Sequence, residues 1–143
     1  MPTEDNKTHD RRIYDEAWNQ GNMAVVDEVV ATTYVGHDPL SPIHGPEGFK
    51  QYLMMIRSAF PDLQMRVEDQ IAEGDQLVTR WSGHGTHQGP LMGIPPTGKP
   101  GTVTGIVISR YANGQIVETW ANWDTLGLLQ QIGVIPAPGQ ESK

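Results

Sequence analysis

Few residues in this chain can do chemistry. It has no cysteine and five histidines among 143 residues, so composition rules out thiolate nucleophiles, disulfides and cysteine-type zinc sites. The stretch WANWDTLGLLQQIG (120–133) sets one carboxylate, Asp124, between two tryptophans and an apolar run of helical spacing. Strand alternation puts Trp120, Asn122 and Asp124 on one face, with Val117, Ala121 and Trp123 on the other. If the first face lines a cavity, Asp124 sits beside an indole and a carboxamide with little water. Burial raises a carboxyl pKa, and a carboxylate so tuned is a usable base near neutral pH for taking a proton alpha to a carbonyl. A second reading stays open. Asp is a favoured N-cap, and DTLGLLQQ has the form of an N-capped amphipathic helix. One residue can fill both roles, although the cap's N–H groups lower the pKa that burial raises.

The histidines offer less. His9 lies in a polar leader. His37, in VGHDPLSPIHG with His44, is either a turn residue bonded to backbone or a donor and proton shuttle at a cavity mouth. His84 and His87 stand three apart in SGHGTHQG, which on a regular strand puts them on opposite faces. With no HExxH pattern and no carboxylate companion, no metal is expected. No serine occupies a G-x-S-x-G turn, and GTHQGPLMGIPPTGKPG fits neither nucleotide-binding glycine loop. That segment reads as a lip carrying Leu91, Met92 and Ile94 over an opening. Arg80 and Arg110, on neighbouring strands, either steady an enolate or pair with acids on a solvated or intersubunit face. No cofactor is called for.

The elements that position these residues are legible in outline. Ile13, Tyr14, Ala17 and Trp18 recur at helical spacing, and Gly21 marks a stop. Asn22 can cap a short second helix striped by Val25, Val26, Val29 and Val30. A third helix has Pro46 in its first turn and Pro61 past its end, and buries Phe49, Tyr52, Leu53 and Ile56. The second half alternates as strands: Leu63, Met65 and Val67, a turn at Gly74-Asp75, then Leu77, Thr79 and Trp81. Asn113-Gly114 is a strong hairpin signal, and a last helix runs from near Thr125 to a terminal Gly133. The layout is α+β, with helices on one face of a curved antiparallel sheet. One domain over 1–143 is expected, with a core of about 10–136 and frayed ends at 1–7 and 136–143.

Bulk properties narrow the partners. Hydrophobic residues make up 37%, charged residues 19%, and the net charge is −7. With Lys and Arg scattered, neither nucleic acid nor an anionic membrane is an expected partner. The polar start lacks a signal peptide's apolar stretch, no window is long enough to span a membrane, and a cytoplasmic location is expected.

TRWSGHGTHQGPLMGIPPTGK, GIVISRYANGQIVETWANWDTLGLLQQIGVIP and the upstream AWNQGN, YVGHDP and GPEGFKQYLMMIRSAFPD together resemble the SnoaL-like polyketide cyclase (ester cyclase) family, over residues 10 to 136. The resemblance implies the cone-shaped fold of the nuclear-transport-factor-two-like superfamily, with a curved sheet and N-terminal helices enclosing a deep pocket. It implies cofactor-independent intramolecular aldol closure of a polyketide-like or other small hydrophobic, aromatic carbonyl substrate. An acid at the end of the last strand would be the general acid/base, and the position here is Asp124; the reading of the residues adds His37 at the cavity mouth as its catalytic helper. Trp81, Trp120 and Asn122 would hold the substrate, joined by His87 and Met92 of the lip. Members commonly pair through the outer sheet face, so a homodimer or homotetramer is expected. The alternatives are a binding module without turnover, or an isomerase or hydrolase on the same pocket.

Overall fold

The computed structural model describes residues 2–136 and Gly139. Helix α1 (Pro2–Arg12) runs into a widened π-helical turn (Ile13–Trp18), followed by α2 (Met23–Val29), β1 (Val30–His37), the short β2 (Ile43–His44) and α3 (Gly45–Ala59). Strands β3 (Gln64–Glu73), β4 (Gln76–Thr86), β5 (Pro100–Ala112) and β6 (Gln115–Trp123) follow, then α4 (Thr125–Gln131). The six strands form one sheet in the order β2-β1-β6-β5-β4-β3. All neighbours are antiparallel except β1 and β6, which run parallel. The α+β class with a curved sheet and enclosing helices is as expected. Among the described residues, no helix is long and apolar enough to cross a membrane.

Several local expectations hold for the reasons given. Gly21 takes φ +72° and its N–H returns to Ala17 O. Asn22 accepts a hydrogen bond from Ala24 N and caps α2. Asn113 and Gly114 both have positive φ, the backbone of a type I′ hairpin turn. Gly133 (φ +85°) closes α4.

Two expectations are corrected. Residues 2–7, expected as an irregular polar end, are helical: they begin α1, with Glu4 and Asp5 in its first turn and Arg11 and Arg12 in its last, matching the helix dipole, and Asn6 and Asp10 are buried. The first half is also not wholly helical. The four-valine stripe crosses a helix–strand junction, because Val30 already belongs to β1. The expected fraying of the last residues falls mostly on 137, 138 and 140–143, outside the described residues.

The helices lie against one face of the sheet and divide its apolar contents in two. Ile13, Ala17, Val25, Val26, Val29, Leu53, Leu77 and Ile116 form one cluster. Ala59, Phe60, Leu63, Leu91, Leu128 and Ile132 form the other. Asn19 ties the N-terminal helices to β3 by a reciprocal pair: its Nδ2 donates to Met65 O (2.9 Å) and its Oδ1 accepts from Met65 N (2.6 Å). The other sheet face carries a row of matched residues, Ile71, Val78, Ile108, Trp120 and His37, each in register with the next across five strands. Ile71 is 68% exposed, Ile108 37% and Trp120 37%.

Gly105 of β5 makes room for the indoles inside. A Cβ there would stand 2.5 Å from Trp81 Cζ2 and 2.9 Å from Trp123 Cβ, so even one methyl group forces Trp81 to shift. Gly105→Ala is expected to cost about 1–3 kcal/mol by overpacking, read as a lower urea midpoint with unchanged slope. An unaltered midpoint would show that Trp81 is not held there.

Candidate active site

Between the helices and the inner sheet face lies a cavity of about 140 Å³. Its wall is almost wholly aromatic and aliphatic. The π-helical turn brings Trp18 into it from the N-terminal helix, spaced by four from Tyr14 and by eight from Asp10, and all three line it. Trp18 packs edge-on against Phe49 and Tyr52 of α3, and Phe49 against Tyr34 of β1, with ring centroids 5.9–6.5 Å apart. Trp81, Val103, Val107, Ala121 and Trp123 supply the sheet side.

The last strand decides which acid this wall receives. On β6 the cavity face is Thr119, Ala121 and Trp123, whereas Trp120, Asn122 and Asp124 are exposed. The expected inward face is therefore the outward one. Trp120 finds a partner there, stacking on His37 at 5.7 Å and 18°, and its register partner Ile108 is likewise on the outside. Asp124 begins α4 as its N-cap, its Oδ1 accepting from Gly127 N at 2.9 Å. Gly127 is a glycine because a Cβ would collide with that carboxylate.

His37 is exposed and turned from the cavity, its Nε2 2.8 Å from Glu118 Oε2. Arg110 pairs with the other oxygen of Glu118 at 3.2 Å, and these two contacts, His37 first, hold the Glu118 carboxyl below its ordinary range. Arg80 pairs with Asp69 at 2.5 Å. Neither arginine lines the cavity.

The lip residues also change roles. His87 is fully buried but is not among the cavity-lining residues. Thr97 N–H donates to its Nδ1 at 3.2 Å, which leaves the ring proton on Nε2, and its backbone exchanges hydrogen bonds with Gly98 and Lys99. His87 thus fastens the base of the lip, with its ring against Phe60. Met92, with φ +49°, sits exposed at the tip, and its neighbour Leu91 is the residue that turns inward to line the cavity. Of the residues expected to hold a substrate, Trp81 is the one whose side of the sheet lines the cavity. His84 also lies at its wall, and among the described residues no three His, Asp or Glu side chains are grouped to hold a metal.

Two carboxyls do face the cavity, and neither is on the last strand. Asp38 follows β1 in an Asx turn, its Oδ2 accepting from Leu40 N at 3.0 Å. The same oxygen accepts from Tyr52 Oη at 3.1 Å. Its Oδ1 has no hydrogen-bond partner among the described residues. Burial pushes the Asp38 carboxyl above its ordinary value, and the Leu40, Tyr52 and Trp123 donors pull against that shift. The Trp123 indole N–H is near enough to contribute, yet it is buried and closes no hydrogen bond of ordinary geometry among the described residues. Asp10 is the second carboxyl. It is buried, with Thr79 Oγ1 donating to Oδ2 at 2.7 Å and Tyr111 Oη to Oδ1 at 2.8 Å, and desolvation raises its pKa against those bonds.

The Asp38 signal was present in VGHDP as an aspartate before proline, the usual start of an Asx turn. Nothing in its spacing said that it faces inward.

The arrangement is a largely apolar, ring-lined pocket with an acid whose pKa burial raises, and known proteins match the chain as a whole in sequence and fold. The family model for SnoaL-like polyketide cyclase matches residues 8–132. Nogalonic acid methyl ester cyclase of Streptomyces nogalater is 31% identical over 121 residues, covering 82% of this chain and 90% of that one. Aklanonic acid methyl ester cyclase of Streptomyces peucetius is 29% identical over 125 residues, covering 82% and 84%. The solved structure of a SnoaL-like protein from Jannaschia sp. CCS1 superposes with a TM-score of 0.85 at 26% identity, over 94% of this chain and 95% of that one. The chain belongs to the SnoaL-like polyketide cyclase family.

Proposed function

We propose that this protein closes a ring in a polyketide-like carbonyl compound by intramolecular aldol chemistry, with Asp38 rather than Asp124 as general base and acid. The supporting observation is Asp38 itself, a half-buried carboxyl on a mostly apolar wall with Oδ1 left free. Asp38 takes the proton from a carbon flanked by carbonyls, and the C–H electron pair becomes the enolate. The enolate carbon attacks a second carbonyl carbon of the same molecule, whose π pair moves to oxygen. That alkoxide recovers the proton from Asp38. Trp123 Nε1–H, buried beside Asp38 without a partner, is placed to steady the enolate oxygen. A 140 Å³ space holds about one ring, judged by the benzene-sized cavity of similar volume in another protein. A multi-ring ester therefore needs the lip at Leu91 to give way.

The test follows exchange of the acidic C–H for deuterium, and ring closure, with nogalonic and aklanonic acid methyl esters. Asp38→Asn should slow both by roughly 10²–10⁴-fold, while Asp124→Asn, which keeps most of the cap, stays within a few-fold of the parent. The opposite pattern returns the role to Asp124. The binding-module reading draws support from the last strand's inward positions, none of which ionises. Ligand binding with no exchange in the parent protein would favour it.

A base works deprotonated, so activity is lost as pH falls through the Asp38 pKa, and burial puts that limb above the ordinary value of about 3.9. Tyr52→Phe removes a donor that lowers this pKa, and the limb should move to higher pH in a kcat/KM profile. A limb that stays put contradicts the assignment.

The apolar row on the outer face supports self-association through the sheet. Light scattering should find a dimer or tetramer for the parent and a monomer for Ile108→Lys. A monomeric parent would end this part of the reading.

A further inference from the structure

The cavity holds a second group of polar side chains, on other elements than Asp38, which the proton transfers above leave unused. Asp10 is its centre, with both oxygens already occupied by Thr79 and Tyr111. Two more hydroxyls stand in the same wall. Tyr14 follows Asp10 by four residues, close enough that the Asp10 charge helps to raise the Tyr14 pKa. Ser109 precedes Tyr111 by two on β5, on the same face, and its register partner Leu77 lies two residues from Thr79 on β4. Both side chains line the cavity, and the residues are only 6% and 2% exposed. Neither hydroxyl makes a hydrogen bond among the described residues.

The contrast with their neighbours is informative. Tyr34 and Thr119, in the same wall, bond each other at 2.7 Å, and Tyr111 is spent on Asp10. Polar groups in a protein interior are normally paired. A few convergent polar groups left free in an apolar pocket are what orients a ligand there. Trp18, Tyr34 and Phe49 nearby offer ring faces and edges that suit a flat ring.

We propose that Tyr14 and Ser109, set around Asp10, form a subsite for a hydroxyl or carbonyl oxygen carried on a ring of the substrate, and so select oxygenated rings. This rests on the cavity being the substrate pocket, as read above, but not on Asp38 being the base.

Phenol and toluene have nearly the same shape, suit the size of the cavity, and differ by the one oxygen. Titration of ¹⁵N-labelled protein by NMR gives a Kd for each. In Tyr14→Phe/Ser109→Ala the ratio of phenol to toluene affinity should fall about 10-fold relative to the parent, the scale of one or two lost hydrogen bonds, with toluene binding retained. Ser109→Ala alone, the milder change, should move the ratio in the same direction by less. That single variant decides the matter if the double variant no longer binds toluene. A ratio unchanged by both variants, or no phenol binding by the parent, overturns the subsite. The measurement uses no variant at Asp38 and no turnover. Its failure leaves the proton-transfer reading standing, and the failure of that reading leaves this ratio untouched.

Discussion

Adjacent residues on a strand point to opposite faces, and the site depends on how that constraint falls at Trp123 and Asp124. Trp123 takes the inside, where it meets Trp81 across Gly105 and comes up beside Asp38 and Tyr52. Asp124 is then outside by necessity, and the first turn of α4 gives it the Gly127 N–H to accept from. A one-residue change in register would exchange the two. The pairing of β6 with β5 over eight register positions, and with β1 on its other side, holds that register in place.

With the strand's acid outside, the cavity obtains its carboxyls from the N-terminal half. Asp38 and Asp10 are both desolvated, and desolvation raises both, but their surroundings differ. Asp10 has both oxygens bonded to hydroxyls from β4 and β5, which suits a fixed structural and orienting role. Asp38 has one oxygen held by a turn N–H and a tyrosine and the other free, which suits proton transfer. The difference lies in which lone pairs remain available rather than in burial alone.

Much of the fold was legible because its signals are local. The Asn22 cap, Pro46 in a first turn, the Asn113-Gly114 turn and Gly133 each act through their own backbone geometry. The alternation of β4 was equally clear, since Leu77, Thr79 and Trp81 are all buried. Strand β1 was not legible: valines suit an amphipathic helix stripe and a strand alike, and the junction at Val30 is set by pairing to Ile116, far along the chain. The face of β6 was ambiguous for a related reason. Each of its faces carries a tryptophan, so periodicity gives two sets of residues without saying which is covered. Stacking of Trp120 on His37 and packing of Trp123 inside settle it, and both are tertiary contacts. The role of Asp38 is not legible, because an Asx turn announces itself in sequence while the direction of its free oxygen does not.

The central claim is that Asp38 is the desolvated carboxyl of the pocket. A ¹³C NMR titration of its side-chain carboxyl tests this most directly. The account predicts a midpoint above the ordinary aspartate value of about 3.9, moving further up in Tyr52→Phe. A midpoint at or below that value, unaffected by the Tyr52 substitution, would contradict it.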